Sequence, residues 1–143
     1  MKIAIGSDHA GFELKTELIN YLGAKGVQVI DKGCYSADRA DYPDHGHAVA
    51  NSVISKESNC GIVICGSGNG INMSVNKHKG IRSALCWNAE VAALAKQHND
   101  ANIIALPARY LSTEQAIACV EAYLNAQFEG GRHQGRIEKI DIC

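Results

Sequence analysis

Short apolar runs recurring between longer amphipathic segments limit what this chain can fold into. "KIAIG" (2–6), "VQVID" (27–31), "GIVIC" (61–65), "IRSALC" (81–86) and "NIIAL" (102–106) read as five strands. Most are continuous rather than alternating, the pattern of strands buried on both faces. Helices fill the gaps. Over 12–25, Leu14, Leu18, Tyr21 and Leu22 keep i, i+4, i+7, i+8 spacing and form one apolar stripe. Pro43 opens a second helix at about 43–57. A third begins near Gly70, and Asn88 caps a fourth through about His98. Ser112 caps a fifth to about Phe128, with Glu114 and Gln115 in its first turn. The alternation predicts a parallel sheet covered by helices on both sides. Right-handed crossovers restrict it to a Rossmann-like, three-layer αβα sandwich with a five-stranded parallel sheet.

A length of 143 residues suits one domain, 1–143, with a single core. The stretch "EGGRHQGRIEKI" breaks the pattern after the last helix and reads as a C-terminal arm at about 129–143. A formal charge of −1 offers no basic field for nucleic acid or an anionic membrane. No run approaches the roughly 18 apolar residues of a membrane span. "MKIAIGSDHAG" lacks the length and cleavage pattern of a signal peptide, so the expected location is cytoplasmic. The six cysteines form no C-x-x-C pair, which argues against a zinc ribbon or thioredoxin motif. In a reducing cytosol most read as small buried hydrophobes.

Ligands in such folds sit beyond the carboxyl ends of the strands. There the first strand ends in Gly6-Ser7-Asp8-His9-Ala10-Gly11 and the third in Cys65-Gly66-Ser67-Gly68-Asn69-Gly70, while Pro107-Ala108-Arg109 follows the fifth. Alternating glycines allow successive backbone N–H groups to converge on an anion, and the following helix adds its positive end. The loop is G-x-G-x-G after the third strand, so it fails the dinucleotide fingerprint, which follows the first. It also lacks the Gly-Lys-Ser/Thr of a Walker A loop. A cysteine phosphatase needs arginine six positions after the nucleophile, and that position is Ile71. The Cys65 thiol remains a candidate nucleophile or general base, since helix N-termini favour thiolates.

His98 and Asn99, in "KQHND", close the fourth helix. That helix should run back to the amino edge of the sheet, opposite Cys65. If both belong to one site, the site spans two chains. Arg132 and Arg136 are spaced i, i+4, and with Arg109 and His9 suit a phosphate dianion. "DYPDHGH" (41–47) looks like a metal cluster, but His45 and His47 diverge on a helix, and Asp44 suits its first turn. A solvated helix entrance is the favoured reading there.

Seven ordered marks now coincide: "GSDHAG", "DYPD", "CGSGNG", "NK" at 76–77, "GIRSALC", "QHND" and "EGGRHQGR". With these the chain resembles the type B ribose-5-phosphate isomerases, of the group that includes lactose-pathway galactose-6-phosphate isomerase subunits. The resemblance covers essentially the whole chain. It implies reversible aldose–ketose isomerisation of a phosphorylated pentose, without metal or organic cofactor, in a homodimer or dimer of dimers with intersubunit sites. By resemblance, Cys65 is the general base and the amides of Gly66, Ser67, Gly68, Asn69 and Gly70 form the enediolate hole. Ser67 lies beside the base. His98 is the ring-opening acid with Asp8 assisting, and Asn99 meets the reacting end of the sugar. His9, Arg109, Arg132 and Arg136 bind the phosphate, and Tyr42 lines the sugar pocket. One branch of the family has glycine at the Cys65 position and a glutamate base just after G-S-G-N-G. Here that position is Ile71, which leaves the thiol without a substitute. A six-carbon sugar phosphate (allose or galactose 6-phosphate) is the alternative substrate. A cysteine phosphatase and a non-catalytic nucleotide-binding module are the alternatives from other classes.

Overall fold

The computed structural model describes residues 1–141, so Cys143 lies outside the described residues. Five parallel strands, β1 (Lys2–Ser7), β2 (Gln28–Asp31), β3 (Cys60–Cys65), β4 (Ser83–Leu85) and β5 (Ile103–Pro107), form one sheet in the order β2-β1-β3-β5-β4. Central β1, β3 and β5 are buried almost throughout, as their continuous apolar runs require; the edge strands β2 and β4 are only half-buried.

Helices α1 (Phe12–Ala24), α4 (Ala89–Asn99) and α5 (Thr113–Asn125) cover one face. There Leu14, Leu18 and Leu22 of α1 pack with Ile3, Ile5, Ile62, Ile64 and Ile104, and with Val120 of α5. Helices α2 (Tyr42–Ile54) and α3 (Asn69–Val75) cover the other, where Val49 and Ile71 pack on Ala4, Val63 and Ala105. Successive strand residues thus feed opposite cores, the period-2 rule applied to a doubly buried sheet. No helix among the described residues is long and apolar enough to cross a membrane.

Caps fall where the sequence places them. Asn88 accepts from the Val91 N–H (2.8 Å), and Ser112 with Gln115 completes a capping box. Three elements differ by two residues or more at one end. The fourth strand is 83–85 rather than 81–86, because side-chain amides take its backbone donors: Arg82 N–H goes to Asn102 Oδ1 and Ser83 N–H to Asn76 Oδ1. The second helix stops at Ile54, and Lys56 turns to positive φ. The fifth stops at Asn125, where Ala126 becomes extended and leads the chain to Glu129, whose N–H donates to the Gln97 carbonyl (3.0 Å). The arm then folds as a 3-10 turn (Gly131–His133) and the short helix α6 (Gln134–Ile137) along the amino edge of the sheet, where Asp141 accepts from the Gly80 N–H.

Candidate active site

The chain leaves β1 towards β2 and returns on the other side of β1 to form β3. The crevice beyond the carboxyl ends of β1 and β3 is therefore the topological switch point. Ser7 pairs with Ile64, so Asp8 and Cys65 leave the sheet side by side. Asp8 is buried, and its Oδ1 accepts from the Gly11 N–H (3.1 Å), capping the 3-10 turn His9–Gly11. His9 Nδ1 lies 3.2 Å from the Ala40 carbonyl oxygen, which ties the ring to the loop before α2.

Cys65 is 4% exposed. Gly68 follows at φ +74, the left-handed turn that starts α3, and a Cβ there would stand 2.4 Å from Leu85 Cδ1. The Asn69 N–H donates to Ser67 Oγ (3.3 Å), whereas among the described residues the N–H groups of Gly66, Ser67 and Gly68 donate to no protein atom. The Gly70 N–H opens the helix and has no intrahelical acceptor. The half-exposed Tyr42 packs its ring on Gly70. Arg109 donates its N–H to the Gly66 carbonyl (3.0 Å), and its guanidinium lies over that glycine. This edge thus brings together Asp8, His9, Tyr42, Cys65, the 66–70 loop and Arg109. A neighbouring cleft of about 450 Å³, lined by Ala10, Phe12, Leu111 and Thr113, holds none of these ionisable groups.

The remaining four expected residues lie elsewhere. His98 and Asn99 close α4 at the amino edge, where the Asn99 carbonyl accepts from Arg82 Nε (3.0 Å) just before β4. Gly61, at that edge, and Cys65 are separated along β3 by about 13 Å at roughly 3.3 Å per residue. Arg132 and Arg136 are exposed on the arm, on the His98 side. The expected residues therefore fall into two groups on opposite edges of the sheet.

The amino-edge half contains two residues that motif reasoning passed over. His133, only 6% exposed, stacks on His98 with ring centroids 4.3 Å apart and planes 10° apart. Glu129 Oε2 lies 3.8 Å from His98 Nε2 and 3.6 Å from His133 Nε2. Burial pushes the His133 pKa below the ordinary histidine value, and the neighbouring His98 and Arg132 act in the same direction. In the sequence both lie within the "EGGRHQGR" mark, at i, i+4 spacing. Their donor atoms and that of His98 fall within 4.8 Å of one another, close enough for a metal trio. Parallel rings nevertheless aim their nitrogens side by side rather than at one point about 2 Å from each, as a zinc site requires. In "DYPDHGH", His45 Nδ1 lies 3.1 Å from the Lys32 carbonyl oxygen while His47 Nδ1 lies 2.7 Å from His78 Nε2, so the two histidines do diverge.

A doubly wound sheet with a thiol, a carboxylate and open amides at its switch point defines a small-molecule enzyme fold rather than a nucleic-acid or membrane module. The chain belongs to the Ribose/Galactose Isomerase family, whose model matches residues 3–140. It is 48% identical over 139 residues to ribose-5-phosphate isomerase B of Escherichia coli, covering 97% of this chain and 93% of that one. The structure of a ribose 5-phosphate isomerase from Thermotoga maritima superposes with a TM-score of 0.98 at 48% identity, covering 99% of this chain and 98% of that one. Ribose-5-phosphate isomerase B of Mycoplasma genitalium, solved with bound ribulose-5-phosphate, superposes with a TM-score of 0.92 at 42% identity, covering 97% and 93%.

Proposed function

We propose that this protein interconverts D-ribose 5-phosphate and D-ribulose 5-phosphate through an enediolate. The observation that carries this reading is Cys65 beside three backbone N–H groups that donate to no protein atom among the described residues, at the β1/β3 switch point. The furanose opens first: the C1–O4 bond breaks, O4 takes a proton from His98, and the C1 hydroxyl releases its proton towards Asp8. The Cys65 thiolate then removes the C2 proton. Charge gathers on O1, where the amides of residues 66–70 receive it as a preorganised oxyanion hole. The proton of the C2 hydroxyl passes to O1, and the thiol returns a proton to C1 to give the ketose. Ser67 orients the base, while Asn99 and Tyr42 hold the sugar. His9, Arg109, Arg132 and Arg136 bind the phosphate, so that binding energy at a distant group fixes C1 and C2 against the thiol. These steps need no metal or organic cofactor.

His98, Asn99, Arg132 and Arg136 sit across the sheet from Cys65, so we read the working unit as a homodimer or dimer of dimers with each site shared between two copies. Exposed Trp87 and Tyr110, just beyond β4 and β5, are apolar surface that a second copy would cover. Residues 1–143 are read as one isomerase unit with its arm. The five described cysteines are free, which suits a reducing cytoplasm.

The test is incubation with ribose 5-phosphate in deuterated water. The expected result is ribulose 5-phosphate carrying deuterium at C1. Release of inorganic phosphate would point to a phosphatase instead, and binding without turnover would point to a nucleotide or sugar-phosphate binding module. Turnover of allose 6-phosphate in preference to the pentose would reassign the substrate.

A further inference from the structure

Resting on the role given above to His98, we propose that His133 and Glu129 are positioning residues for ring opening, His133 holding the plane of the His98 ring and Glu129 its rotation. A ring-opening acid has a strict geometric task, because its N–H must point at O4 of a furanose that is itself held by a phosphate several atoms away. His98 alone cannot meet it. It stands on the last turn of α4, about one-third exposed, and on its own would sample several rotamers.

Three observations show the ring being held. The His133 ring lies flat against it, 4.3 Å away and within 10° of parallel. His133 is buried and cannot swing aside. The Glu129 carboxylate faces Nε2 of both rings, at 3.8 and 3.6 Å, distances that a small rotation would close to hydrogen bonds. The backbone locks the trio. The Glu129 N–H donates to the Gln97 carbonyl, one residue before His98. Gly130 and Gly131 both take positive φ, and that turn brings His133 back over the helix end, closed by its N–H to the Gly130 carbonyl (3.0 Å). Arg132 and Arg136 flank His133 on the same arm. The segment that presents the phosphate ligands is therefore the one that clamps the acid. A bare imidazole and two arginines on separate supports would have to be ordered separately.

The clamp differs from a purely structural contact in one measurable way. Ribulose 5-phosphate has no furanose form, since its C5 oxygen is esterified and attack by O4 on C2 would close a four-membered ring. Exchange of its C1 hydrogen with solvent needs Cys65 and the amide hole but no ring opening. Glu129→Gln and His133→Ala should therefore lower kcat/KM for ribose 5-phosphate by about 10- to 100-fold. Deuterium exchange at C1 of ribulose 5-phosphate should fall by less than about threefold. His133→Phe, which keeps a flat ring against His98, should recover most of the loss seen in His133→Ala. Glu129→Gln guards against misfolding, because Glu129 is exposed and the change is isosteric. Equal losses in both assays, or no loss in either, would overturn the proposal. Absence of C1 exchange in the unaltered protein would instead sink the isomerase reading beneath it.

Discussion

At Cys65 a thiol stands where a buried strand gives way to a loop whose N–H groups at 66–68 donate to no protein atom among the described residues. Ile71, at the family's other base position, is fully buried among Val63, Val75 and Ala105. Cys65→Ala should lower kcat by at least about 10²- to 10⁴-fold, the usual weight of a general base, while ribose 5-phosphate still binds. Near-native turnover in that variant would remove Cys65 from the mechanism. Two other thiols lie within the hydrophobic core. Burial pushes Cys60 up to about 11 and Cys86 up to about 12, so both stay protonated at neutral pH and serve as packing. Gly68→Ala forces a side chain into positive φ and against Leu85. It should destabilise the fold by roughly 1–3 kcal/mol in urea denaturation and displace the amides of the loop. An unchanged midpoint with full activity would refute that account. The place of Cys65 and its loop at the carboxyl edge was legible because they follow a strand in six consecutive residues. His133 and Glu129 were not, because they reach His98 only after two glycines turn the arm back on α4.

Elements were legible wherever a local signal decided them. The apolar runs gave the strands, while Asn88, Pro43 and Ser112 marked helix starts that the structure keeps. Helix ends and the short β4 depended on long-range partners, Asn102 and Asn76 for β4 and Gln97 for the exit from α5, which no local pattern announces. Nor did periodicity mark Lys15. It sits on the buried face of α1 at 1% exposure, with Nζ 2.5 Å from Asp31 Oδ1 at the end of β2. Asp31→Ala would leave a buried ammonium without its carboxylate. Because Asp31 is about one-third exposed, the expected cost is roughly 2–3 kcal/mol, below that of a fully buried pair. Urea melts would check it. Between α2 and the end of α3, His47 Nδ1 and His78 Nε2 share a 2.7 Å hydrogen bond. Burial, and then His47, hold the His78 pKa below its ordinary 6.5. The folded state therefore favours neutral His78. That contribution is complete above pH 6.5 and is lost as pH falls through the lower folded value. Denaturation midpoints should drop between about pH 7.5 and pH 5.5, and drop less in His78→Gln. Parallel pH profiles for the two proteins would rule the pair out as a contributor.

For the whole molecule, the decisive geometry of the proposed mechanism is the division of its residues between two edges of a sheet. Cys65 and its amide loop, the proposed base and oxyanion hole, stand at the carboxyl edge, and His98 with Arg132 and Arg136, the proposed acid and two of the four proposed phosphate ligands, at the amino edge, across about 13 Å of buried strand. No side-chain motion spans that distance through a packed core, so a single copy cannot bring Cys65 and His98 to one five-carbon substrate. A twofold pair can, because an isologous interface sets the amino edge of each copy against the carboxyl edge of the other and makes two equivalent sites. The sequence carried the first half of this argument, since a helix after a parallel strand must return to the amino edge. What it lacked was the course of the arm, which places Arg132 and Arg136 with His98 rather than with His9 and Arg109. Complementation tests the whole scheme. Cys65→Ala and His98→Ala homodimers should each be nearly inactive. When equal amounts are unfolded, mixed and refolded together, half of the dimers pair the two variants. Each such dimer concentrates both lesions in one site and leaves the other intact, so activity should return to roughly a quarter of the unaltered protein's. Purified mixed dimers with no activity would mean that each copy completes its own site, and that His98 works elsewhere than beside Cys65.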